Sequence, residues 1–435
     1  MSETYALPWV TEPVAGTVTV PGSKSITNRV LPIAALADGI TEIRGALFSD
    51  DSHYFVEALR TLGYQVEVDA ANASMQVTGA GIRPLREGVD VSLFAGGSGT
   101  TARFVTAMVA LGRGRYTVDG ISRMRERPIG DLLHALRTLG AHAVDTLGTG
   151  CPPVLVEACG LRGGEVIVNG RDSSQFLTAL LLAAPYASDR VTIRVDGELV
   201  SRPYVEMTVR MMQTFGACVQ ERNGVFDVQP SHYAGRIYEV EPDASGASYF
   251  LALPAVLGGT VTVRGLAKDS LQGDAQFAAV LARMGCQVTS TAQGLSVSGP
   301  PDGVLRGIEV DLFAMSDMVP TLAAIAPLAN SPVRIYNVAN VRLKETDRIA
   351  ACVAQLRRLG VTVEEQADGL TIFPASPDQL HAGVTVATYD DHRMAMAFSL
   401  LGLRVPGTQI ADPQCVGKTF PDYFQRLEGL LSQVK

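Results

Sequence analysis

Apolar residues along this chain cluster in runs of one recurring kind. Each run opens on small polar residues, continues as a helix-length apolar stretch, ends near Gly or Pro, and leads into a short β-branched segment. Six openings follow this pattern: "SKSITNRVLPIAALA", "GSGTTARFVTAMVALG", "DSSQFLTALLLAAPYA", "DASGASYFLALPAVLG", "MSDMVPTLAAIAPLA" and "DDHRMAMAFSLLG". The segments after them, such as "YTVDG", "VTIRV" and "TVTVRG", read as strands. With Ser25, Ser98, Ser174, Ser245, Ser316 and Asp391 as markers, the period is about 71 to 76 residues, an internal repeat. Five copies carry a second element, for example "VEALRTLGYQVEV" and "VAQLRRLGVTVEE". Leu or Met at helical spacing, then Gly, then a β-rich run predicts helix, C-cap and strand. "ERNGVFDVQ" and "AQGLSVSG" predict hairpins. Each unit reads β-α-β-α-β-β, and the sixth is cut short after "FPDYFQRLEGLLSQVK". The fold class expected is α/β (α+β).

Six units form either one solenoid or two groups of three, and 435 residues suit two domains better than one. The first three openings carry Ser, Thr, Lys and Arg, whereas the last three carry Asp243, Asp317, and Asp390 with Asp391. Two unlike halves are therefore expected, with a boundary near "YEVEPDASG". A hydrophobic content of 47% against 18% charged residues supports a large core. The net charge of −8 argues against nucleic acid as a partner but leaves room for a local basic pocket. Six scattered cysteines without a CxxC pair suggest reduced thiols in the cytoplasm, not a zinc site or disulfides. "MSETYALPWVTEP" has neither the basic nor the apolar region of a secretory signal, and apolar runs such as "FLTALLLAAPYA" are too short to span a membrane.

The openings also suggest chemistry. The first turn of a helix presents unpaired N–H groups and a partial positive charge. In "PGSKSITNR", Lys24 sits between two serines at such a start, with Arg29 one turn on. The spacing is not that of a nucleotide-binding G-x-x-x-x-G-K-[ST] loop. In "GGSGTTARF", glycines and Thr100 allow backbone N–H groups close to an anion, and Arg103 follows. "DSSQ" alone reads as an ordinary N-cap, but three such starts at equivalent repeat positions can converge on one place. Basic residues gather elsewhere: Arg123, Arg125 and Arg127; Arg342, Lys344 and Arg348 around Glu345 and Asp347; His392 and Arg393; Lys418. Alone, "KETDR" reads equally as a solvated helix start with internal ion pairs, and Asp390 or Asp391 as a cap.

Taken together, "PGSKSITNR", "GSGTTAR", "RMRERPIG", "SSQFLTALL", "SRPYVEMT", "DASGASYF", "KETDRI", "DDHRMAM" and "GKTFPDYF" resemble, in order and from end to end, the 5-enolpyruvylshikimate-3-phosphate synthases (3-phosphoshikimate 1-carboxyvinyltransferases), a family of enolpyruvyl transferases. The resemblance implies a two-domain inside-out α/β barrel of six β-α-β-α-β-β repeats, three per domain, with the site in the cleft. It implies that residues 22–241 carry most of the shikimate 3-phosphate site. Residues 1–21 plus 242–435 would carry the catalytic acid and base and the arginines for the carboxylate of phosphoenolpyruvate. It also implies that shikimate 3-phosphate promotes closure.

The implied reaction moves the enolpyruvyl group of phosphoenolpyruvate to the 5-hydroxyl of shikimate 3-phosphate, in the route to chorismate and the aromatic amino acids. By resemblance, shikimate 3-phosphate is held by Lys24, Ser25, Arg29, Ser173, Ser174, Gln175, Ser201, Tyr204, Asp317, Asn340 and Lys344. Phosphoenolpyruvate is held by Lys24, Gly99, Arg127, Gln175, Arg348, Arg393 and Lys418. Acid and base work falls to Lys24, Asp317, Lys344 and Glu345, with Asp317 at the 5-hydroxyl. Both substrates are polyanions, which suits this density of Lys and Arg. No cofactor or metal is expected, and a cytoplasmic monomer with no nucleic-acid or membrane partner is. Two positions depart from the family: Gly97 stands where an Asn is frequent, and Phe104 where many members have Pro. Both bear on phosphoenolpyruvate and on its mimic glyphosate, while the retained Gly99 points to glyphosate sensitivity. Two alternatives are a transferase acting on UDP-N-acetylglucosamine and a non-catalytic phosphosugar-binding module. The first would carry a Cys loop, yet "GRGRYTVDGISRMRERP" has no Cys, and Asp317, Lys344 and Glu345 together argue against the second.

Overall fold

The computed structural model describes residues 4–85, 88–171 and 173–434. The chain divides into two compact units, one of Gly22–Val240, the other of the chain up to Pro21 together with residues from Glu241 onward. Among the described residues there are six small sheets, five of four strands and one of three. The second repeat displays the common order. Val89–Phe94 runs parallel to Arg113–Asp119, which pairs antiparallel with Val154–Cys159, itself paired with His142–Asp145. The helices Gly99–Val109 and Gly130–Thr138 lie between these strands in sequence, giving the β-α-β-α-β-β order read from the chain.

The two helices of a repeat differ in how they are buried. All residues of Gly99–Val109 and of His392–Gly402 are buried, as expected of helices that are apolar all round. In the first unit Lys24–Leu36, Gly99–Val109 and Ser174–Ala183 pack on one another. In the second unit Ala244–Leu257, Val319–Ile325 and His392–Gly402 do the same. The second helix of each repeat is amphipathic; Arg348–Arg358 buries Ile349, Cys352, Val353 and Leu356 and exposes its basic end. The core is therefore built from helices flanked by sheets. In "ERNGVFDVQ" the strands Val219–Arg222 and Val225–Val228 meet at Asn223 and Gly224, whose φ values of 52° and 76° match a two-residue hairpin turn.

Four features depart from a plain sixfold repeat. Val14–Val18 lies two residues earlier than "GTVTV" suggests, and pairs in parallel with Gly259–Arg264 of the fourth repeat. The strand beside Asp38–Arg44 of the first repeat is instead Ile237–Glu239. The shortened sixth repeat is completed from the other end of the chain: Gln409–Ala411 pairs with Thr385–Val386 on one side and Thr4–Ala6 on the other. Finally, "MSDMVPTLAAIAPLA" is not one helix. A 3₁₀ segment Phe313–Met318 precedes the helix Val319–Ile325, and a second one, Ala326–Leu328, follows it. Pro320 fits the first turn of the helix, where no N–H is needed, and Pro327 interrupts its end. No helix among the described residues is long and apolar enough to cross a membrane.

Candidate active site

In the unit Gly22–Val240 three helix starts are capped by serines. Ser23 accepts from the Ile26 N–H, Ser98 from Thr101 and Ser173 from Gln175. Of the residues singled out from sequence, this unit holds Lys24, Ser25, Arg29, Gly99, Arg127, Ser173, Ser174, Gln175, Ser201 and Tyr204. Lys24 Nζ lies 3.7 Å from Asp51 Oδ2. Arg29 is buried; its Nε donates to Thr208 Oγ1 at 2.8 Å and Nη1 to the Ser25 carbonyl at 2.8 Å. Its guanidinium carbon sits 5.6 Å from the ring centres of both Phe104 and Tyr204. Among the described residues no carboxylate pairs with Arg29, and burial pulls its guanidinium down to about 10. A buried cation without a counter-ion is costly, so this arrangement favours an incoming anion.

Gly99 and Arg127 meet. A Cβ on Gly99 would lie 2.6 Å from Arg127 Nη2, and Arg127 Nη1 donates to the Gly97 carbonyl at 3.3 Å. The missing side chain at Gly99 thus allows a buried guanidinium to lie against a helix N-terminus, a pairing suited to phosphate. Arg103 has a different role from that of an anion ligand. It is buried and donates to the carbonyls of Gly99 and Pro128, linking the helix start to the segment that carries Arg127. Arg123 and Arg125 form exposed pairs with Glu126 and Asp119. Ser173, Ser174 and Gln175 open one helix and Ser201 another, and these two helices pack together. Ser201 holds a left-handed conformation, φ 52° and ψ 41°, unusual for a non-glycine residue and found most often where function constrains the backbone.

In the other unit Asp317, Asn340, Lys344, Glu345, Arg348, Arg393 and Lys418 occur, and most form one ionic network. Arg348 lies at its centre, only 1% exposed. It donates from Nε to Asp391 Oδ2 at 2.8 Å, from Nη1 to Asp317 Oδ1 at 2.9 Å and from Nη2 to Glu345 Oε2 at 2.9 Å. Arg393 Nη2 donates to Asp317 Oδ2 at 2.7 Å, and Lys418 Nζ lies 3.2 Å from Glu345 Oε1. Burial opposes the charge on Arg348, but Asp391, Glu345 and Asp317 outweigh it and hold the guanidinium above its usual range. Asn340 donates to Ser316, the neighbour of Asp317, at 3.0 Å. Lys344 is half-buried beside Glu345.

The acids at the three helix starts of this unit separate by role. Asp243 caps its helix through the Gly246 N–H, and Asp391 caps through Arg393 N–H. Asp317 reaches the two arginines, and the helix after it has no side-chain cap. In "KETDR", Asp347 caps the helix through Ala350 N–H and pairs with Arg342, whereas Glu345 and Arg348 join the network. Sequence reasoning missed Thr208, Asp51 and Tyr249. Thr208 stands one helical turn past Tyr204 in "YVEMT", the signal that could have located it. Tyr249 is buried and interacts with Arg393; burial pushes its hydroxyl up to about 12, against the pull of Arg393 and Arg348.

Known proteins resemble the chain along its whole length. The sequence model of the family described as EPSP synthase (3-phosphoshikimate 1-carboxyvinyltransferase) matches residues 10–427. A 3-phosphoshikimate 1-carboxyvinyltransferase from Trichormus variabilis is 48% identical over 434 residues, covering 99% of this chain and 100% of the relative. The chloroplastic enzyme of that name from Solanum lycopersicum is 47% identical, covering 95% of this chain and 82% of the relative. A solved EPSP synthase structure from Acinetobacter baumannii superposes with a TM-score of 0.81 at 25% identity, covering 98% of each chain. On these matches of sequence and fold, the chain belongs to the EPSP synthase (3-phosphoshikimate 1-carboxyvinyltransferase) family.

Proposed function

We propose that residues of the two clusters bind the substrates of the family reaction, in which the enolpyruvyl group of phosphoenolpyruvate moves to the 5-hydroxyl of shikimate 3-phosphate and phosphate is released. The carrying observation is the Asp317 carboxylate bridging Arg348 and Arg393 at 2.9 and 2.7 Å. Two buried guanidiniums that take the two oxygens of one carboxylate suit the carboxylate of phosphoenolpyruvate. Gly99 and Arg127 at a helix start suit its phosphate, with Lys24, Gln175 and Lys418 adding donors. Arg29, buried with no carboxylate partner among the described residues, takes an anionic group of shikimate 3-phosphate. Ser25, Ser173, Ser174, Gln175, Ser201, Tyr204, Asn340 and Lys344 take its remaining oxygens.

The chemistry is addition followed by elimination. The 5-hydroxyl oxygen bonds to C2 of phosphoenolpyruvate while its proton passes to Asp317, and C3 gains a proton from the ammonium of Lys24 or Lys344. The product of that step is a tetrahedral intermediate that still carries the phosphate. Glu345 lies between Arg348 and Lys418. It takes a proton from the new methyl group as the C–O bond to phosphate breaks, leaving the enolpyruvyl ether. The reading extends to a cytoplasmic monomer without nucleic-acid partners; the net charge of −8 and six unpaired cysteines support it. The substrate division is tested by steady-state kinetics. Arg29→Lys raises KM for shikimate 3-phosphate by about tenfold or more, and Arg348→Lys does so for phosphoenolpyruvate, as loss of bidentate geometry costs. The reverse pattern, or equal effects on both substrates, contradicts the division.

A further inference from the structure

We propose that Asp317 is a built-in place-holder for the carboxylate of phosphoenolpyruvate, displaced from Arg348 and Arg393 when that substrate binds and thereby released to act as the base. This rests on the assignment of those two arginines to the substrate carboxylate. The geometry is that of a ligand mimic: one oxygen lies 2.9 Å from Arg348 Nη1, the other 2.7 Å from Arg393 Nη2.

Arg348 cannot hold a fourth carboxylate through two N–H groups. Four of its five N–H groups already point at Asp391, Glu345 and Asp317. Among the described residues, ion pairs of this network join Arg348, Arg393 and Lys418 to Asp317, Glu345 and Asp391. Addition of an anion without an exchange adds negative charge to the buried cluster, whereas exchange of one carboxylate for another leaves its charge unchanged.

Of the three acids, Asp317 is the one built to leave. Asp391 has a fully buried side chain and is fixed by the Arg393 N–H as a helix cap. Glu345 is pinned between Arg348 and Lys418. Asp317 has the most exposed side chain, at 18%, and sits on the short 3₁₀ segment Phe313–Met318. While it holds the arginines both its oxygens are engaged as acceptors from cations. Once released, it can receive the hydroxyl proton. Donor-substrate binding and arming of the base thus become one event, and the exchange lowers apparent affinity for phosphoenolpyruvate.

Calorimetric binding of phosphoenolpyruvate alone tests this, with pyruvate as a carboxylate probe and inorganic phosphate as a control. Asp317→Asn is expected to tighten both carboxylates by about tenfold or more, in keeping with the loss of a competing charge-assisted pair, and to leave inorganic phosphate unchanged. Glu345→Gln removes a carboxylate from Arg348 but leaves the Asp317 bridge in place, and should gain clearly less. No gain in Asp317→Asn, or equal gains in the two variants, overturns the place-holder. Arg348→Lys and Arg393→Lys separate this from the underlying assignment. If they lose affinity for phosphoenolpyruvate while Asp317→Asn gains none, only the place-holder fails; if they retain it, the assignment fails as well. A crystal structure of the unaltered protein with phosphoenolpyruvate avoids any folding defect of a variant. Asp317 is expected off both guanidiniums, and Asp317 still bridging them overturns the proposal.

Discussion

At the scale of single residues, much of the candidate site depends on what glycines and aromatic rings allow charged groups to do. Gly99 is needed because Arg127 occupies the space a Cβ would take, at 2.6 Å from Nη2 and 3.0 Å from Cζ. Gly99→Ala therefore displaces the guanidinium without disturbing a helix that tolerates alanine well. KM for phosphoenolpyruvate should rise by about tenfold or more while the melting temperature stays near that of the parent, because small misplacements of a binding group are costly. An unchanged KM would contradict the placement of Arg127. The Phe104 ring lies 5.6 Å from the guanidinium carbon of Arg29; under the proposed role of Arg29, this departure from the family pattern bears on shikimate 3-phosphate. Residue identity was legible for the charged groups because Lys and Arg at apolar helix starts demand a reason. Their partners were not. Nothing in "SDDSH" marks Asp51 as the acid beside Lys24, since a pairing across 27 positions depends on packing.

At the scale of elements, the repeat was readable because its two helices differ in pattern, one apolar all round and one amphipathic, and that difference separates inner from outer helices. Strand partners were less readable. Val14–Val18 looks like the lead strand of the helix that follows it, yet pairs with Gly259–Arg264. Alternation along a strand specifies which faces are buried but not which neighbour supplies the hydrogen bonds. The break at Asp317 was missed for a similar reason: Pro320 and Pro327 were counted within an apolar run, although each restricts the backbone beside it. Completion of the sixth sheet by Thr4–Ala6 leads to a prediction. Tyr5 pairs with Ile410, stacks on Phe424 with ring centres 4.2 Å apart, and bonds Glu428. Tyr5→Ala should destabilise the protein by about 1–2 kcal/mol in urea unfolding, through loss of the ring contact and a half-buried side chain. A change below about 0.5 kcal/mol would mean that this strand adds little.

At the scale of the whole molecule, the chain is two compact units made from the same repeat with opposite endowments. Among the described residues, one unit buries Arg29 with no acid beside it, and the other surrounds Arg348 with three. A local deficit of anions and a local excess of ion pairs both occur inside a protein whose net charge is −8, so bulk charge conveys little about the site. On the proposed division of roles, these endowments serve one transfer, to one acceptor. Phosphate release is measured with phosphoenolpyruvate and either of two acceptors. Stoichiometric release that depends on shikimate 3-phosphate is expected, with none above background with UDP-N-acetylglucosamine. Release with UDP-N-acetylglucosamine, or binding of shikimate 3-phosphate without any release, would contradict it.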